Sequence, residues 1–144
     1  MSRLTYVLRG LALALAYLFS EAAFSQSALG DLLDAGAKQM PKGELVELLT
    51  GRTAAFTGQD GAAQQITYKA NGSYSGVWAL GGTTAPFFGN WAVEEDGQIC
   101  LVAGGGKSRG QKLCGYWFKT ADQYFASPSN ADRSAPIFKR IVQQ

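Results

Sequence analysis

The sequence predicts a mainly β protein, a small antiparallel β-barrel or strongly coiled meander of about eight strands with a short N-terminal helix. Three observations carry this reading. From Arg52 onward, turn residues recur every eight to twelve positions or so, the punctuation of a meander. Two Asx-Gly pairs, Asn71-Gly72 and Asp96-Gly97, stand between alternating apolar segments, the strongest short-range hairpin signal. Each of the three tryptophans stands two residues after a glycine, in Gly76-Val77-Trp78, Gly89-Asn90-Trp91 and Gly115-Tyr116-Trp117. Residues two apart in a strand share a face, so a flat indole can cover a neighbouring strand's missing side chain. Glycine also lets a strand coil tightly enough for a sheet to close.

The N-terminus is read separately from the fold. Arg3 and Arg9 precede or flank an apolar run from Leu11 to Phe19, and the small-residue stretch Ala22-Ala23-Phe24-Ser25 follows. This pattern predicts a signal peptide over residues 1–25, cleaved after Ser25 or Ser27, since the run is about half of the roughly 20 residues a spanning helix needs. The expected compartment is periplasmic or secreted, with no stable membrane span after cleavage. In an oxidising compartment the two cysteines, Cys100 and Cys114, are expected to form one disulfide, worth about 3 kcal/mol by the chain-entropy estimate.

Residues 26–42 read as a weakly helical lead, with Leu29, Leu32, Leu33 and Met40 near helical spacing but Gly30 and Gly36 against it. The single barrel-like domain is placed at 43–144. It begins with a short helix over 44–51, where Leu45, Leu48 and Leu49 share a face and Gly51 supplies the stop. An eight-residue helix is marginal alone, so that face is expected to dock on the open end of the β-structure. Strands are expected near 52–57, 64–70, 73–80, 86–94, 98–103, 111–119, 122–127 and 136–142. Three-residue loops at both Asx-Gly turns put Ile66, Tyr68, Tyr74, Gly76 and Trp78 on one side, and likewise Trp91, Val93, Ile99 and Leu101. If Cys100 faces Cys114, then Leu113, Gly115 and Trp117 join that apolar side, and the disulfide lies on the other beside Lys112 and Tyr116.

The chemistry of the chain is read mostly by exclusion. Thirteen basic against eleven acidic residues give no electrostatic case for nucleic acid. Histidine is absent, so no metal site or cofactor is expected and no serine has an imidazole base. Glu94, Glu95 and Asp96 sit on a turn, where a solvated tip is expected rather than a catalytic pair. Gly104 to Gly110 contains Gly106-Lys107-Ser108, but the glycine a phosphate loop needs five positions before Gly106 is Leu101. A hairpin loop is the plainer reading. Lys107, Ser108, Arg109 and Lys112 make it a candidate partner-contact surface, as is the loop from Ser127 to Pro136. Tyr68, Tyr74, Trp78, Trp91 and Trp117 are expected in the interior, as core or as the lining of a small apolar pocket.

The mature chain resembles an exported proteobacterial family known only as domain-of-unknown-function family 995. The resemblance covers residues 43–142 and rests on Leu49-Thr50-Gly51-Arg52-Thr53, Tyr68-Lys69-Ala70-Asn71-Gly72-Ser73, Gly89-Asn90-Trp91, Gly97-Gln98-Ile99-Cys100 and Cys114. It implies an envelope or secreted protein with no assigned activity and transfers no catalytic residue. The Gly-x-Trp triplet is also similar to that of the lipocalin-like calycins. The expected function is non-catalytic binding by a monomer. The favoured form is a solid barrel, filled by indoles, whose exposed loops contact an envelope or host protein; the alternative is a lipocalin-like barrel holding a small apolar ligand.

The protein recovered from its own cell should have the mass of a chain starting at Gln26 or Ala28, with both thiols unreactive until reductant is added. A full-length mass, or two free thiols, would overturn the export reading.

Overall fold

The computed structural model describes residues 28–144; the expected signal peptide lies outside them. The architecture is a closed eight-stranded antiparallel barrel with one extra short strand, β1 (Lys38–Gln39), before it. The barrel strands are β2 (Thr53–Thr57), β3 (Ala63–Tyr68), β4 (Ser73–Leu80), β5 (Thr83–Val93), β6 (Ile99–Ala103), β7 (Lys112–Lys119), β8 (Tyr124–Ser127) and β9 (Phe138–Gln143). Each pairs with the next in sequence, and β9 returns to pair with β2 through Thr53↔Gln143, Ala54↔Val142 and Ala55↔Ile141. Among the described residues no helix is long and apolar enough to cross a membrane.

Both Asx-Gly hairpins adopt the three-residue loop. Lys69 closes on Ser73 and Glu94 on Gln98, with Gly72 and Gly97 at φ +84° and +85°. The resulting register is Tyr68↔Tyr74 and Ile66↔Gly76 in one hairpin, and Trp91↔Leu101 and Val93↔Ile99 in the other. Cys100 lies opposite Cys114 and the two are bonded, with Leu101 opposite Leu113 and Ile99 opposite Gly115. Leu113 is on the expected side but is 73% exposed, because it stands at the rim of the barrel.

One strand starts earlier than its sequence suggests. β5 begins at Thr83 rather than at 86, because Gly81-Gly82 forms a two-residue turn closed by Leu80↔Thr83, both glycines having positive φ. Pro86 is accommodated within the strand because β5 pairs with β6 only from Gly89 onward. The upper β4–β5 hairpin therefore stands above its β6 neighbour as a raised wall.

The lead segment departs from a single weak helix. A six-residue helix, α1 (Leu29–Asp34), ends at Gly36, and the chain then forms β1 (Lys38–Gln39), paired with Lys119 and Phe118 of β7. The segment covers the outside of the barrel. Leu29, Leu32 and Ala37 pack with Phe118, Phe125 and Ala135 in a second apolar cluster that the sequence reading did not anticipate. Gly30 donates to the Arg133 carbonyl and Leu29 to that of Ala135, while Arg133 binds Asp34. These contacts tie the lead to the β8–β9 connection.

Helix α2 spans Lys42–Leu49, starting two residues earlier than expected, and closes one end of the barrel as its leucines predict. Leu45 and Leu49 are fully buried and pack, with Met40, into the interior cluster of Ala54, Ile66, Tyr68, Tyr74, Val93, Ile99 and Trp117. Lys42 pairs with Glu95, Gln39 donates to the Asp96 carbonyl, and Tyr116 donates to the Asp96 carboxylate. The Glu94–Asp96 turn is thus more than a solvated tip: it clamps the plug to the barrel's lower rim.

Leu49→Ala should cost about 2–5 kcal/mol, the range for opening a cavity under a buried leucine, whereas Leu113→Ala should change stability by less than about 0.5 kcal/mol. Urea denaturation of the two variants compares them directly; equal losses would contradict the plug.

Candidate ligand-binding cavity

Period-two alternation decides which side chains point into the barrel. Strand β9 shows it most plainly: Phe138, Arg140 and Val142 are half-buried, and Lys139, Ile141 and Gln143 are exposed. The corresponding inward residues of the other strands are Ala54 and Phe56, Ile66 and Tyr68, Tyr74 and Trp78, Phe87, Leu101, and Trp117. They enclose a cavity of about 790 Å³. α2 blocks the lower end, and the upper end opens between the β2–β3, β4–β5, β6–β7 and β8–β9 connections. The volume lies within the roughly 300–1,000 Å³ of small-molecule sites.

The barrel interior is open above α2, and the reason is local. The spaces at Gly76 and Gly89 are occupied by the side chains directly opposite them. A Cβ on Gly76 would lie 2.4 Å from the Phe87 ring and 2.5 Å from the Gln65 carbonyl, and one on Gly89 would lie 1.9 Å from the Val102 carbonyl and 2.8 Å from the Tyr74 hydroxyl, so neighbouring backbone excludes a side chain there as well. The cross-strand pairs Gly76↔Phe87 and Tyr74↔Gly89 thus fold phenyl rings flat against the wall, and the indoles do not fill the centre. At Gly115 the approach is to the Ser127 carbonyl, at 2.9 Å from a Cβ.

Tyr68, Tyr74, Trp78 and Trp117 line the cavity. Trp91 does not. It packs beneath, edge-on to Tyr68 at 5.2 Å between centroids, and its indole N–H donates to the Lys69 carbonyl at 3.0 Å. The proposed partner loop is divided as well. Lys107 and Ser108, in a short 3-10 turn (Gly106–Ser108), stand at the cavity mouth, while Arg109 and Lys112 are exposed away from it. Gly104 and Gly105 seat the ring of Phe88 against this loop.

Sequence reasoning missed Phe56, Phe87, Phe138 and, above all, Arg140. The Arg140 guanidinium carbon lies 3.4 Å from the centroid of the Phe56 ring and 5.8 Å from that of Trp117. Its Nη1 is buried without a hydrogen-bond partner among the described residues. Burial pulls this guanidinium down to about 10, with Tyr68 acting in the opposite sense. Burial pushes the Tyr68 phenol up to about 12, partly offset by Arg140. Arg140 is thus still a cation at neutral pH and Tyr68 is a neutral hydrogen-bond donor. The cavity wall contains no aspartate or glutamate.

The signal for Arg140 was in the sequence. In Phe138-Lys139-Arg140-Ile141-Val142-Gln143 either phase of alternation turns a cation inward, Lys139 in one and Arg140 in the other. No protein-family model matches the chain, and no curated protein matches it.

In a spectrophotometric titration, the last tyrosine should ionise only as the pH nears about 12. The unfolded chain releases the Tyr68 proton from near pH 10.0, so this residue's contribution to stability is full below that pH and is lost between there and about 12. Tyr68→Phe should remove the late ionisation step; its persistence would assign that step elsewhere.

Proposed function

We propose that this protein is an exported, non-catalytic binding protein that takes up a small apolar ligand within its barrel. The observation that carries the reading is the open cavity of about 790 Å³ walled by aromatic side chains. A closed barrel resists collapse of its walls, because every strand is hydrogen-bonded on both sides, so an apolar space within it persists for a guest. Binding gains from removing apolar surface from water on both partners, and the aromatic walls offer large contact area at little entropic cost. The Cys100–Cys114 disulfide fits the export part of the proposal, since such bonds persist in oxidising compartments.

The loop-mediated reading is subordinate here. Lys107 and Ser108 stand at the cavity mouth, so part of the loop expected to hold a partner protein borders the opening instead of forming a separate surface. The raised β4–β5 hairpin and the seated Phe88 extend the apolar wall beside this loop.

An uncharged fluorescent naphthylamine should bind saturably at one site per chain. Ala103→Trp, which places an indole in the upper wall, should weaken that binding by about tenfold or more without unfolding the domain. A folded wild-type protein that shows no saturable binding, or a variant that binds as well as wild type, would refute the cavity reading.

A further inference from the structure

We infer that the ligand is an amphiphile with an anionic head, a carboxylate being the best match, and that it binds head-inward with that head on the guanidinium of Arg140. This deepens the cavity reading and rests on it.

Arg140 is a cation placed inside the barrel with no anion provided for it among the described residues. Its Nη1 has neither a hydrogen-bond partner nor solvent contact. The three ion pairs among the described residues, Lys42–Glu95, Lys119–Glu44 and Arg133–Asp34, all lie elsewhere. The cavity wall has no carboxylate, and the phenol coupled to Arg140, that of Tyr68, stays protonated at neutral pH. Buried charges are costly unless paired, so a site of this kind favours a ligand that supplies the missing charge.

The geometry narrows the head group. Phe56 covers a face of the guanidinium, at 3.4 Å from its centroid, and stacking of this kind uses the face of the group. Nη1 itself is shielded from solvent, so the carboxylate is received on the Nε–Nη2 edge, where two parallel in-plane hydrogen bonds can form. The tail then runs upward past Phe87 and Trp78 toward the mouth. Lys107 is also a cation near this path, but it is exposed, and solvated pairs contribute little. The head is therefore set by Arg140 and not by the rim.

Tryptophan fluorescence of the disulfide-bonded chain at neutral pH, titrated with dodecanoate and with dodecanol, tests this. Wild type should prefer dodecanoate by about tenfold or more, the value of a charge-assisted bond over a neutral one. Arg140→Gln should abolish the preference while dodecanol still binds, Arg140→Lys should keep its sign, and Lys107→Ala should leave it unchanged. Equal affinity of wild type for the two probes, a preference that survives Arg140→Gln, or one lost with Lys107→Ala would overturn the inference and leave the cavity reading intact. Binding of neither probe by the folded wild type would overturn both. Should Arg140→Gln fail to fold, the wild-type ratio and the Lys107→Ala control decide.

Discussion

The pairing of β2 with β9 is the contact on which the remaining structure depends. Thr53, Ala54 and Ala55 meet Gln143, Val142 and Ile141 across nearly the whole length of the domain, and this ladder removes the last two sheet edges. Without it, the inner aromatics would line one face of an open sheet. With it, they face one another around an enclosed space, and α2 has a rim of fixed diameter to plug. Closing so long a loop is entropically unfavourable but only slowly more so with length, and it is offset by the burial of Ala54, Val142 and Phe56 at the seam.

Closure also explains how the interior tolerates Arg140. A guanidinium lying against ring faces is stabilised by the quadrupole of each ring, but less than it would be by a carboxylate, so the domain carries a stability penalty at this position. The same rigid walls shield its Nη1 from water. Tyr68, Phe56 and Trp117 therefore form, with Arg140, a charged aromatic niche at the cavity's depth, while the exposed Lys107 stays at its rim.

Much of the fold was legible because the deciding signals are local. The left-handed glycines at Gly72 and Gly97 fix two hairpin registers, and the register of β6 with β7 follows from Cys100 opposite Cys114. The Gly81-Gly82 turn was overlooked, and that omission hid more than a strand end. A two-residue turn there makes Gly76 face Phe87 and Tyr74 face Gly89, the pairs that flatten the rings and leave the barrel hollow. The outer cluster of Leu29 and Leu32 on Phe118 and Phe125 was not legible in the same way, because nothing in a strand's alternation says that its outward side will be covered. Arg140 lay between: its strand was foreseen, yet the consequence of a double cation in an alternating segment was not drawn.

The position of β9 in the chain has a consequence for biogenesis. Polypeptides are made from the N-terminus, so β2 waits as an open edge until the final strand emerges. Throughout that interval β2 and β8 are both free to pair with a neighbouring chain, and the inner aromatic surface is wet. Once β8 is made, only the connection before Phe138 and β9 itself remain, a delay of roughly a second at about 5–20 residues per second. The covering of β7 and β8 by α1, a segment made before any barrel strand, shields the outer aromatics of the incomplete sheet while its inner face still lacks an enclosure.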